Sequence, residues 1–153
     1  MLNRLKDVFK SFQKHDVHYV VLGGIAAVLY GVPRATFDLD ILIEASRDNA
    51  RRLLEAMLEA GMGTAALTDP DQVLANEITI FKDRVRIDVQ TSTPGLKFVD
   101  AWQTRQTMEY HGQKFYVVSR DALISSKKAA GRKVDLEDVR LLEIQMKDND
   151  TTQ

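Results

Sequence analysis

The chain has no cysteine, which excludes disulfides, thiolate metal sites and a cysteine nucleophile together. Its three histidines, His15, His18 and His111, are scattered and offer no histidine metal cluster. No apolar run approaches the roughly 18 residues of a membrane span. The opening residues MLNRLKDVFKSF carry charges throughout, with no apolar core of signal-peptide length, so a cytoplasmic location is the expectation. Charge of one sign is also lacking: 21 basic and 22 acidic residues give a formal net charge of −1. With no global field to recruit nucleic acid, any polyanion must be held by a local patch. The length, 153 residues, is one domain's worth.

What is present is organised around residues 22 to 43, LGGIAAVLYGVPRATFDLDILI. Gly23 and Gly24 follow the apolar run Val20, Val21, Leu22, and a strand that stops at paired glycines lets backbone N–H groups approach a phosphate closely. Asp38 and Asp40 lie one residue apart in a second apolar run. Alternate strand residues share a face, so the two carboxylates project together, roughly 6 to 7 Å apart. Paired carboxylates beside a glycine turn suit a divalent cation and a nucleoside triphosphate.

The rest of the chain supplies a frame. Apolar periodicity predicts an N-terminal amphipathic helix through Phe12, a strand over Val17 to Leu22, a short helix over Gly24 to Tyr30 and a second strand over Thr36 to Ile43. Ser46 caps a helix that Gly61 ends. Gly63 to Asn76, with Asp69-Pro70-Asp71, reads as a loop that can hold one helical turn. Glu77 to Phe81 and Arg84 to Gln90 read as strands joined at Lys82-Asp83. In the second, Arg84, Arg86, Asp88 and Gln90 share the polar face, which favours Asp88 over Asp83 and Asp100 as a third carboxylate. A helix over Phe98 to Gln106, a hairpin over Thr107 to Tyr110 and Lys114 to Val118, and helices over Ala122 to Gly131 and Asp135 to Met146 follow; the tail from Lys147 is expected to fray. The fold class is α+β, α/β-like in its strand–helix alternation. It is a small mixed sheet flanked by helices, one domain with a core over about 15–118 and a C-terminal helical extension over about 119–146.

The pattern Gly-Gly, a short helix, then Arg-x-Thr-x-Asp-x-Asp before an aliphatic run resembles the DNA polymerase beta-type nucleotidyltransferase superfamily. Within it the stretch is most similar to small bacterial nucleotidyltransferases related to AbiEii-type toxins. A second cluster, SKKAAGRKVDLEDVRLLE over residues 126 to 143, resembles their C-terminal signature, with Lys127, Arg132, Asp135 and Asp138 at the matching positions. The resemblance implies a nucleotidyltransferase fold and magnesium-assisted nucleotidyl transfer from an NTP to an acceptor, manganese being the alternative ion. Asp38, Asp40 and Asp88 would be the catalytic, metal-binding carboxylates. Gly23, Gly24, Arg34, Thr36, Lys127 and Arg132 would hold the nucleotide.

Each assignment has a plain structural rival. Arg34 can equally pair with a carboxylate at the core edge, and Asp135 can be a helix cap or a partner for Arg132. The toxin resemblance implies an RNA end, tRNA in particular, as acceptor, and a cognate antitoxin or toxin as partner. The alternatives are a small-molecule transferase of the aminoglycoside-modifying kind and a catalytically silent nucleotide-binding or antitoxin-like module. A basic track of Arg84, Arg86, Lys127 and Arg132 would favour RNA; a deep acidic pocket beside Asp88 would favour a small acceptor.

Overall fold

The computed structural model describes the backbone of residues 1–151 and the side chains through residue 145. The elements in order are α1 (Leu2–Lys14), β1 (Tyr19–Leu22), α2 (Gly23–Leu29), β2 (Leu39–Ile43), α3 (Arg47–Glu59), α4 (Pro70–Ala75), β3 (Ile78–Lys82), β4 (Arg86–Gln90), α5 (Phe98–Gln103), β5 (Gln106–Tyr110), β6 (Gln113–Val117), α6 (Arg120–Ala130) and α7 (Lys133–Thr151). A 3-10 turn over Gly63–Leu67 sits between α3 and α4. The six strands form one mixed sheet in the order β3-β4-β2-β1-β6-β5, so the architecture is α+β. β1 runs parallel to β6 and β2 parallel to β4; the other neighbours are antiparallel.

Register gives the two sheet faces opposite characters. Tyr19 pairs with Ile43, Val21 with Ile41, Leu39 with Ile87 and Phe81 with Ile87, so one face is apolar through the central strands. α1 and α3 cover it: Phe9 stacks on Phe115 with ring centroids 4.5 Å apart, and Phe12 meets Tyr19 edge-on at 4.9 Å. All four of these rings are essentially unexposed. On the other face Leu22 pairs with Asp40, Asp40 with Asp88, Ile80 with Asp88 and Ile78 with Gln90. α2, α6 and α7 cover only part of this face, leaving Ile78 and Ile80 about half exposed at 52% and 48%. The carboxylates emerge where the helical cover ends.

Several boundaries depart from the sequence reading, each for a local reason. β2 starts at Leu39, not Thr36, because Arg34 is drawn off to Asp138 and Thr36 packs against Gly24. The stretch expected as a loop contains α4, where Asp69 accepts from Gln72 N at 2.9 Å and Pro70 opens the first turn. β4 starts at Arg86, which leaves Arg84 in the turn and off the polar face. α5 stops at Gln103, since Gln106 already belongs to β5. α7 begins before Asp135 and continues to Thr151 in place of fraying from Lys147; residues 152–153 lie outside the described residues. Among the described residues no helix is long and apolar enough to cross a membrane.

Candidate active site

The site is built where β1 turns into α2. Gly23 has φ +71°, the left-handed region in which a side chain is strained, and a Cβ there would overlap Asp40 Oδ2 and lie 2.9 Å from its Cγ. A Cβ at Gly24 would lie 2.7 Å from Thr36 Oγ1 and 3.1 Å from Arg34 Nη2. The paired glycines therefore let the backbone lie directly against the carboxylate of β2 and the loop before it. These residues open onto a cavity of about 350 Å³ lined by Gly23, Gly24, Arg34, Asp40, Asp88, Lys127, Arg132 and Asp135, with Ile78, Gln90 and Thr93 on the outer side.

The acids in this cavity are not equivalent. Burial, then the charges of Asp88 and Asp38, push the Asp40 carboxyl up to about 7 against the pull of Lys127 and Arg86. No hydrogen-bond donor among the described residues relieves it. Asp88 is partnered: Arg86 Nε donates to its Oδ1 at 2.9 Å and Nη2 to its Oδ2 at 3.3 Å. The same Nε lies 3.7 Å from Asp38 Oδ2. As the side chains stand, no three His, Cys, Asp or Glu groups among the described residues form a ready metal cluster. The donor set is nonetheless all hard oxygen, and Asp40 is an under-compensated carboxylate with open space beside it. That chemistry fits a small divalent cation.

The opposite wall is a buried ionic network. Lys127 is only 4% exposed, and its Nζ donates to Asp138 Oδ2 at 2.7 Å with Asp135 Oδ1 3.6 Å away. Arg34 Nη2 donates to that same Asp138 oxygen at 2.9 Å. Arg132, at the start of α7, donates through Nε to Asp135 Oδ2 at 2.6 Å and through its backbone N–H to the same atom at 3.2 Å. That last bond is the return half of a capping box. Burial would push the Asp135 carboxyl up, but the Arg132 bonds and charge, with Lys127, hold it below its ordinary value. One carboxylate, Asp138, thus ties together α6, α7 and the loop carrying Arg34.

The family described as "Nucleotidyltransferase of unknown function (DUF6036)" matches residues 2–147, nearly the whole chain. The chain belongs to that family. No curated protein matches the sequence. Among solved structures, the chain is similar to a protein from Thermotoga maritima (TM1012), provisionally described as a nucleotidyltransferase. The likeness covers 96% of this chain and 92% of that one at 17% identity, with a TM-score of 0.56, and it shows a shared fold.

In this family member the structure brings Gly23, Gly24, Arg34, Asp40, Asp88, Lys127 and Arg132 to one cavity. Asp38 stands at the rim, linked through Arg86, and Thr36 sits behind Gly24. Asp135 is the partner of Arg132; it is not the helix cap, because α7 already starts at Lys133, and its side chain instead accepts from the Arg132 backbone N–H from within the first turn. The basic track does not form. Arg84 bonds Ala60 O and Arg4 O at the far end of the sheet, Arg86 is held by acids, and Lys127 is buried. Sequence reading missed the engagement of Arg86 with the acids. Its spacing from Asp88 was the available signal, because residues two apart on a strand share a face.

Proposed function

We propose that the protein transfers a nucleotidyl group from a nucleoside triphosphate to an acceptor hydroxyl. The acceptor oxygen forms a bond to the α-phosphorus, the bond from that phosphorus to the bridging oxygen of the β-phosphate breaks, and pyrophosphate leaves with that oxygen. The observation that carries this reading is the unrelieved Asp40 carboxylate beside Gly23, with Asp88 in register on the next strand. Asp38, Asp40 and Asp88 would hold magnesium or manganese, which when bound supplies phosphate charge neutralisation and activation of the acceptor hydroxyl. Gly23 and Gly24 admit the triphosphate close to the backbone. Arg34, Lys127 and Arg132 supply positive potential toward the leaving pyrophosphate, with Thr36 supporting the glycine turn. Asp88, on the open side of the sheet, faces the acceptor and assists removal of its proton.

The absence of a basic track supports a compact hydroxyl compound as acceptor over a long polyanion. A second reading has its own support: Lys127, Arg132, Asp135 and Asp138, the positions of the toxin-like signature, gather into one network at the cavity. That favours an AbiEii-like enzyme acting on the terminal hydroxyl of an RNA or tRNA, with a cognate antitoxin as partner and action in the cytoplasm. The test is incorporation of α-labelled ATP, CTP, GTP and UTP with Mg²⁺, into total RNA and into a panel of hydroxylated small molecules, with Asp40→Ala in parallel. Label on either acceptor that vanishes in the variant supports the proposal and chooses between the readings. NTP binding without label on any acceptor overturns it in favour of a silent nucleotide-binding module.

A further inference from the structure

Among the described residues, Arg86 is the one cation of the site that grips the proposed metal ligands themselves. Two residues before Asp88 on β4, it shares that residue's sheet face, and beyond the last β2–β4 pair, Leu39 with Ile87, it lies beside Asp38. Its guanidinium forks onto both oxygens of Asp88, at 2.9 and 3.3 Å, and approaches Asp38 at 3.7 Å. The other cations are engaged elsewhere: Arg34 and Lys127 on Asp138, Arg132 on Asp135. A guanidinium bonded to both oxygens of a carboxylate occupies a lone pair on each and neutralises the charge an ion would otherwise meet, and a fixed positive charge at that spot repels the ion.

We propose that Arg86 is a displaceable counter-cation. It neutralises Asp38 and Asp88 while no divalent ion is bound, and it must surrender at least one of them before the three carboxylates can hold an ion together. This inference rests on the reading of Asp38, Asp40 and Asp88 as metal ligands. Release is feasible because the Arg86 side chain is 37% exposed and Asp38 49% exposed, so the freed guanidinium turns into water. Lys127, 5% exposed between two acids, has no such exit and is locked as a wall. Arg86 therefore sets the affinity of the site for its ion by competition. The protein spends that affinity to keep three converging acids tolerable when the ion is absent.

The experiment is a titration of the whole protein with Mn²⁺ alone, following free Mn²⁺ by electron paramagnetic resonance. Arg86→Gln should bind Mn²⁺ about fivefold more tightly than the unsubstituted chain, the scale of releasing a partly exposed ion pair. Arg86→Lys, which keeps the charge but loses the fork, should fall between the two and serves if the Gln variant folds poorly. Asp40→Asn added to Arg86→Gln should remove the gain. Arg84→Gln makes the same change in net charge two residues away, where the side chain bonds Ala60 O, and should leave the affinity unchanged. Equal or weaker binding by Arg86→Gln, or an equal gain in Arg84→Gln, overturns the counter-cation role and leaves the ligand assignment standing. No Mn²⁺ binding by any variant overturns both.

Discussion

Asp40→Asn should make the protein more stable at neutral pH, and the structure gives the size of the effect. The Asp40 carboxyl rises from an ordinary 3.8 to about 7, chiefly through burial and then through Asp88 and Asp38. Between those values the folded chain keeps a proton that the unfolded chain has lost, so stability falls as pH rises across that window and levels off above about 7. The full rise corresponds to about 4 kcal/mol, a ceiling that side-chain and solvent relaxation will lower. Between pH 5 and 8 the loss should be about 2 kcal/mol. Acids held below their ordinary values, such as Asp135 with Arg132, act in the opposite sense, losing their contribution only as pH falls through the range below 3.8. The assay is urea unfolding of both chains at pH 5 and pH 8 without divalent ions. The unsubstituted chain should lose stability over that interval relative to Asp40→Asn, titrations remote from Asp40 being common to both. If Asp40→Asn is the less stable chain at pH 8, Asp40 is a satisfied structural acid and the reasoning fails.

Two further substitutions probe the walls of the cavity. Gly23→Ala should cost about 1 to 3 kcal/mol in urea unfolding from its left-handed backbone alone, and should abolish nucleotide transfer because the new methyl group displaces the Asp40 carboxylate; transfer at the normal rate would refute the close-approach argument. Lys127→Met should cost about 3 kcal/mol by stranding two buried acids, and the double variant Lys127→Met, Asp138→Asn should cost clearly less than the two single changes added together. Strict additivity in the unfolding measurements would mean that the pair does not interact.

The parts of this molecule that could be read from the sequence are those set by local pattern. Apolar runs and glycine breaks marked β1, α2 and β2, and alternation in the stretch before Gln90 put Asp88 on the polar face that β2 shares. Asp69-Pro70 is a readable helix start inside the stretch that reads as a loop: an N-cap acid followed by proline in the first turn. Other features depend on partners distant in sequence. That Lys127 is buried follows only once α7 folds back and places Asp135 and Asp138 around its Nζ. That Arg84 leaves the site follows from the open carbonyl at the end of α3, Ala60 O, which lies 2.9 Å from its Nη2. Periodicity carries no information about either. The same limit explains the loop before β2, whose path is set by Asp138, more than a hundred residues away.

The buried network also changes what the C-terminal helices are. On sequence they were an extension appended to a core; in the structure α6 and α7 form one wall of the cavity, through Lys127, Arg132 and Asp135. A solvated appendage would carry such charges at the surface, where an ion pair contributes little. Here Asp135 and Asp138 are 2% and 1% exposed, and Lys127 is 4% exposed. Burying three charges is costly unless the partners are fixed, and Asp138 fixes two cations from different parts of the chain at once. The glycine turn and the acids of β2 and β4 supply one side of a polyphosphate-sized space, and the network supplies the other. The helices that close this space are therefore as much part of the candidate active site as the strands that carry its acids.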